Sequence, residues 1–302
     1  MAQQQPAAKE DEMPIFRTTV SLVKVDIQVL DGTGRNIPNI PEMDFAVFDE
    51  NQPQQIAHFE RESEPLDLLL LLDVSGSMRR SLEEVAATTR AALGQLHHGD
   101  RVGLMLFSRR TQIIQPFTDD FHDAQFKILD SIYKESLGAG TLINESVIAA
   151  ADYVKQQRPK TRRAILIVTD NEGMHYKALN KEVTRSILNA DAVLNAIVVR
   201  QGPKPAPYKS NGFTNPDLAP PDVYAMAAQT GGEALDGAGK VSEVFKHIVA
   251  GIRSRYFVQY AAPPADPGTF RHIRVELSPA ARGRYPGAVV RAREGYYVTA
   301  PQ

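Results

Sequence analysis

Leu68-Leu69-Leu70-Leu71-Leu72-Asp73-Val74-Ser75-Gly76-Ser77-Met78 is the stretch on which the reading of this 302-residue chain turns. Five successive leucines with no polar alternation describe a strand buried on both faces, as in a parallel sheet, and the Gly/Ser punctuation behind them ends it. The polar tip is therefore a placed group. Asp73, Ser75 and Ser77 present oxygen at alternate positions, an all-oxygen set that suits a hard divalent cation such as Mg2+. The pattern D-x-S-x-S also reads as a helix N-cap with turn residues, and locally both readings stay open.

Downstream the rhythm is α/β. After the strand 67–73 the apolar spacing predicts a helix over 81–96, strands over 101–107 and 111–116, and helices over 123–133 and 142–156. A second buried strand, 164–169, ends in Asp170-Asn171-Glu172-Gly173. A helix over 178–189, a strand over 193–199 and helices over 222–229 and 241–252 complete the series. Alternation of this kind predicts a doubly wound, mainly parallel sheet with helices on both faces, which binds ligands at the carboxyl ends of its strands. Asp73 and Asp170 both belong to that edge. Between 202 and 221 a loop carries six prolines. It reads either as part of a rim at the same edge or as a stiff surface excursion.

Upstream the pattern is different. Val23, Val25, Ile27 and Val29 alternate with Lys24, Asp26 and Gln28, the signature of a half-buried strand. Phe45 to Asp49 and Gln54 to Phe59 read as a hairpin across Glu50-Asn51-Gln52-Pro53. The end of the chain is also β, with strands expected over 255–260, around Ile273, Val275 and Leu277, over 288–293 and over 295–298. Neither end alone carries enough strands for a core. The expected organisation is a tail over 1–15, disordered by its Gln, Ala, Glu and Pro content, and a β-sandwich built from both termini, 16–63 and 254–302. The α/β domain, 64–253, is inserted between the two halves.

Composition narrows the function classes. With 43% hydrophobic and 23% charged residues the chain has the makeup of a globular protein. A net charge of −2 with no basic run gives no reason to expect nucleic acid as a partner. The absence of cysteine excludes disulfides, thiolate metal sites and cysteine nucleophiles. No apolar run approaches the length of a membrane span. The first eight residues carry no signal core and fit a mature exported protein or a cytosolic tail equally.

Two distant segments join the opening stretch. Gly138-Ala139-Gly140-Thr141 puts a hydroxyl on a glycine-rich loop ahead of a helix, and Asp170 ends the second buried strand. This combination resembles the von Willebrand factor A domain and its metal-ion-dependent adhesion site. The resemblance implies that Asp73, Ser75, Ser77, Thr141 and Asp170 together hold one divalent cation, Mg2+ or else Mn2+ or Ca2+. In that scheme Ser75 and Ser77 ligate directly, Thr141 and Asp170 directly or through water, and Asp73 largely through water. It also implies a protein partner that offers an Asp, a Glu or a C-terminal carboxylate to the metal, across a rim of Gly76, Met78, Gly140, Asn171 and Glu172. Asn171 departs from the glycine common after the aspartate, and Glu145 reads as an acidic residue on an exposed first helical turn.

The terminal segments, with Asp31-Gly32, Asp44-Phe45, Phe270 to Val275 and Val290 to Tyr297, resemble the acidobacterial type of von Willebrand factor A-related proteins. That resemblance implies a secreted, periplasmic or cell-surface location. The expected function is a non-enzymatic, cation-dependent adhesion or protein-binding module. Its alternatives are a scaffold that uses the fold without carboxylate capture and a metal-dependent phosphohydrolase. A haloacid dehalogenase type of phosphatase needs a second carboxylate two residues after the first, where this chain has Ser75. Neither serine sits in G-x-S-x-G, and Gly237-Ala238-Gly239-Lys240 lacks the spacing of a phosphate loop and reads as a turn before a helix. His97-His98 reads as solvated surface, and Tyr256, Tyr260, Tyr296 and Tyr297 as the core and rim of the sandwich.

Overall fold

The computed structural model describes residues 21–61, 64–134, 137, 140–158, 161–173, 178–199, 209–210, 213–214 and 221–300. The tail 1–15, and 16–20 behind it, lie outside the described residues, as does the Pro-rich loop apart from two short paired segments.

In chain order the strands and helices begin with β1 (Leu22–Leu30), β2 (Phe45–Asp49), β3 (Gln52–Gln54), β4 (Ile56–Arg61) and β5 (Leu66–Asp73). There follow α1 (Arg79–Leu93), β6 (Arg101–Phe107), β7 (Thr111–Thr118), α2 (Phe121–Lys134), α3 (Ile143–Lys155) and β8 (Arg162–Thr169). The third group is α4 (Asn180–Asn189), β9 (Ala192–Val198), β10 (Lys209–Ser210), β11 (Phe213–Thr214), α5 (Val223–Gln229), β12 (Ala234–Asp236) and α6 (Val241–Arg253). The chain closes with β13 (Tyr256–Ala261), β14 (Phe270–Leu277), α7 (Pro279–Arg284), β15 (Val289–Arg291) and β16 (Gly295–Tyr297).

The leucine run lies where a continuous apolar strand must lie. β5 is central in a six-stranded sheet of order β12-β9-β8-β5-β6-β7, parallel throughout except for the antiparallel β6–β7 pair. Because successive side chains point to opposite faces, the run divides its leucines between two cores. Leu68, Leu70 and Leu72 pack with Leu82 and Val85 of α1 and Phe245 and Ile248 of α6. Leu69 and Leu71 pack with Val147 and Ala151 of α3, Val183 and Ile187 of α4 and Met226 of α5. Full burial of each leucine contributes roughly 2–3 kcal/mol before the loss of chain entropy. In parallel-strand sequence the order reverses between β5 and β8. Loops on either side of such a switch point diverge and leave a crevice at the carboxyl edge.

Strands from the two ends of the chain interleave. One antiparallel sheet has the order β15-β1-β13-β4 and the other β16-β14-β2-β3. β1 pairs with β13 from Leu22↔Ala261 to Ile27↔Tyr256, and β14 pairs with β2 from Ile273↔Asp49 to Leu277↔Phe45. A third buried cluster takes Val25, Ile27, Val258 and Tyr260 from the first sheet and Phe45, Val47, Ile273 and Tyr296 from the second. Tyr256, Tyr260 and Tyr296 are buried, as their apolar bodies demand, and Tyr297 is partly buried.

One local expectation changes, and two elements were not foreseen. The hairpin after Asp49 is tighter than its sequence suggests: Glu50 and Asn51 take φ of 49° and 64°, which closes a two-residue turn with Asp49 opposite Gln52. The segment expected to return along β2 therefore splits, and β4 crosses to pair with β13 in the other sheet. β12 was not legible because three residues carry no periodicity. α7 was also missed, although Ser278 caps it through Ala281 N and Pro279 opens it.

Candidate metal centre

The carboxyl ends of β5 and β8 set the geometry. Leu72 pairs with Val168, so Asp73 stands level with Thr169. The Thr169 hydroxyl donates to Asp73 Oδ2 at 2.8 Å, and the backbone N–H of Ser75 donates to Asp73 Oδ1 at 2.9 Å. Asp73 has no exposed surface. Burial pushes its carboxyl up to about 6 against the pull of those hydrogen bonds. It is a carboxylate that anchors the loop and lies under the other oxygens.

Above it the chain turns through a short 3-10 segment, Gly76–Met78, into α1. The Ser75 and Ser77 hydroxyl oxygens lie 3.2 Å apart, and the Ser77 hydroxyl donates to Asp170 Oδ2 at 2.5 Å. Asp170 Oδ1 accepts from the N–H of Glu172 at 2.9 Å. Met78, expected on the rim, is fully buried and packs among the leucines. The turn that lifts Ser77 folds the next side chain under the loop, so Met78 is corrected from rim to core. Gly76, Gly140 and Glu172 are exposed as a rim requires.

Thr141 reaches the site through β6. Phe107 pairs with Asp73 and accepts from Val74 N at 2.8 Å. The next carbonyl, that of Ser108, accepts from Leu142 N at 2.9 Å. These two bonds tie the loop that carries Thr141 beside the Asp73 loop, with Thr141 buried and Gly140 in the left-handed region at φ 101°. Gly138 and Ala139 lie outside the described residues.

Asn171 has φ 58°, also left-handed. That conformation is why glycine is common there, and Asn is among the few side chains that tolerate it. Its side chain is only 3% exposed, which removes it from the rim, and its Oδ1 is buried without a hydrogen-bond partner among the described residues. Glu145 is not simply solvated on the first turn of α3: its Oε1 accepts from Ala178 N at 3.3 Å. Asn144 Nδ2 donates to Ala178 O and Asn180 Oδ1. Together these two residues hold the chain as it returns from the Asp170 loop. Thr169 and Ser108 are the contributors that sequence reasoning missed. Thr169 had a legible signal, a hydroxyl ending a buried strand one residue before a site aspartate.

Do these residues fit a divalent cation? Among the described residues no group of three or more His, Cys, Asp or Glu side chains gathers. The donor set instead is two carboxylates with serine and threonine hydroxyls, which are hard oxygens. Neighbouring oxygens around an octahedral Mg2+ sit about 3 Å apart, given Mg–O distances of ~2.1 Å. The Ser75–Ser77 and Ser77–Asp170 separations bracket that value. The donors fit.

A mixed, mostly parallel sheet with helices on both faces and three loops converging at its switch point is the architecture of the von Willebrand factor type A domain. Residues 68–173 match a family model described as "von Willebrand factor type A domain". No curated protein matches the chain in sequence. Among solved structures it is similar to an aerotolerance-related membrane protein from Bacteroides fragilis, at 18% identity over 61% of this chain and 98% of that one, with a TM-score of 0.45. It is also similar to the conserved hypothetical protein BatB from Bacteroides thetaiotaomicron, at 19% identity over 62% and 98%, TM-score 0.47. A von Willebrand factor type A protein from Catenulispora acidiphila aligns over 94% of this chain and 76% of that one, at 12% identity and a TM-score of 0.47. These likenesses say nothing about function. Among the described residues no helix is long and apolar enough to cross a membrane.

Proposed function

We propose that this protein is a divalent-cation-dependent binding module that captures a carboxylate of a partner protein. The observation that carries the reading is the meeting of oxygens at the switch-point edge, where the Ser77 hydroxyl lies 3.2 Å from that of Ser75 and 2.5 Å from the Asp170 carboxylate. Ser75, Ser77, Thr141 and Asp170 would hold Mg2+, with Mn2+ or Ca2+ as substitutes, and Asp73 would fix the loop from below. What a bound cation supplies there is an electrophilic position that an acidic side chain or a C-terminal carboxylate can occupy. Gly76 leaves that approach open, since a Cβ at its position meets nothing within 4 Å. This is binding chemistry, and the reading is non-enzymatic: the position two residues after Asp73 is a hydroxyl where a phosphatase of that type needs a carboxylate.

The same proposal assigns 64–253 to the binding domain and reads the two antiparallel sheets, from 16–63 and 254–302, as the layers of a β-sandwich that presents it. Their shared buried cluster supports that division. The resemblance of the terminal segments to exported proteins supports a location outside the cytoplasm.

Thermal unfolding with Mg2+ against EDTA tests the reading. Stabilisation by Mg2+ that disappears in Asp73→Ala supports it, and no shift in the parent protein sinks the metal claim. Partner capture that persists in EDTA would favour a scaffold acting without the cation. Phosphatase turnover lost with Asp73→Ala would favour an enzyme.

A further inference from the structure

The surface around the site is unevenly charged in a way that carboxylate capture alone does not use. Arg79 follows Met78 directly, at the start of α1, and is exposed. Arg109 and Arg110 are exposed on the turn after Ser108. That turn is held beside the site from both sides, since Val74 N donates to Phe107 O and Leu142 N donates to Ser108 O. None of these three guanidinium groups has an ion-pair or hydrogen-bond partner among the described residues. Most arginines elsewhere behave differently: Arg101 and Arg158 meet Asp67, Arg162 meets Asp26, Arg271 meets Asp49 and Arg293 meets Asp191. In a chain with a net charge of −2, three cations without a partner among the described residues, one at the start of α1 and two on the neighbouring β6–β7 turn, are a local excess.

We propose that the partner is an acidic protein segment carrying several Asp or Glu residues. One of its carboxylates would enter the cation site while its neighbours pair with Arg79, Arg109 and Arg110. This rests on the carboxylate capture proposed above and names the class of partner for it. Arginine suits the task because its planar fork meets carboxylates bidentately and stays charged at any physiological pH. Exposed pairs of this kind are weak one by one and are screened by salt within about 10 Å at 0.1 M. They act together, raising the association rate and selecting against neutral or basic segments.

The test compares two labelled eight-residue peptides by fluorescence anisotropy on the full chain, octaglutamate and a Gly/Ser peptide with a single Glu, each in Mg2+ and in EDTA. With Mg2+ at low salt, octaglutamate is expected to bind at least ten-fold tighter than the single-Glu peptide, and the advantage is expected to shrink to within about two-fold at 0.5 M salt as the screening length falls. Replacing Arg109 and Arg110 by Gln, or separately Arg79 by Gln, is expected to remove most of the advantage. Retained Mg2+ stabilisation then shows that the variants are folded with the cation site intact. Equal affinity for the two peptides in Mg2+, or an advantage unchanged by the substitutions, would overturn the inference while leaving carboxylate capture standing. Binding of both peptides that is the same in EDTA would remove carboxylate capture itself, and the inference with it. A sulfated oligosaccharide that binds tighter than octaglutamate and ignores EDTA would overturn it in favour of a general polyanion surface.

Discussion

The hydroxyl of Ser77 donates to the carboxylate of Asp170 at 2.5 Å, although 93 positions separate the two residues in the chain. Nothing local brings them together. Ser77 is delivered by the turn after β5 and Asp170 by the end of β8, and the parallel pairing of those strands sets the distance. The contact is therefore a direct readout of the site. Substituting Ser77→Ala or Asp170→Asn is expected to raise the half-saturating Mg2+ concentration about ten-fold or more each, equivalent to ~1.4 kcal/mol. Because the groups touch, the double variant should lose less than the sum of the two. A Mg2+ titration followed by thermal shift measures all three, and unchanged half-saturation in either single variant would count against a shared cation.

Asp73 gives a pH dependence of defined sign. Its folded carboxyl is raised from the ordinary aspartate range to about 6 by burial, so the folded cation-free protein holds a proton more tightly than the unfolded chain. The resulting stability is fully present below the unfolded pKa and is lost as pH rises through about 6. In EDTA, Asp73→Asn is thus expected to be the more stable protein at pH 8, by on the order of 2–3 kcal/mol. The difference should vanish near pH 4. Saturating Mg2+ should reverse the order at pH 8. Urea unfolding across this pH range would show a flat difference if burial of the charge were irrelevant.

Asn171 makes a prediction about backbone. At φ 58° a β-branched side chain meets the steric cost of the left-handed region, so Asn171→Val should destabilise by roughly 1–2 kcal/mol. Asn171→Gly relieves the backbone and removes a buried amide oxygen without a described partner. It should leave stability unchanged or raised. Equal losses in the two variants, by thermal unfolding, would mean that the side chain and not the backbone matters there.

Asp49 tests whether the two ends of the chain form one unit. Fully buried, it accepts from Tyr260 at 2.9 Å and Tyr296 at 3.0 Å and pairs with Arg271 at 2.6 Å, joining β2, β13, β16 and β14. Burial first, and then the bond to Asp49, raise both tyrosine hydroxyls, Tyr296 to about 12. Removing the carboxylate leaves the partly buried Arg271 without its ion pair and the Tyr260 and Tyr296 hydroxyls without their acceptor, and Asp49→Ala should cost about 3 kcal/mol. Tyr296→Phe should cost only ~1 kcal/mol. A small effect of Asp49→Ala in chemical unfolding would show that the two sheets hold together without this link.

The layered α/β part was legible in the pattern of the chain. Five leucines in a row can be buried only between two helical layers, and helices recurring at the right spacing supply those layers, so the class of fold follows from pattern alone. The same pattern showed which residues end the two central strands, because Asp73 and Asp170 each close an apolar run. The alternation at Val23 to Val29 showed that the terminal region is half buried, but not against what. The pairing of β1 with β13 and of β14 with β2 emerged only in the assembled fold, since strand pairing between distant segments is set by long-range hydrogen bonds that leave no local periodicity. The burial of Met78 and Asn171 likewise had no local signature, because one residue of rotation in a tight turn moves a side chain from solvent to core. The site oxygens were legible one by one. Their meeting was decided by the register of β5 against β8 and the two backbone bonds from β6, which no single stretch of the chain contains.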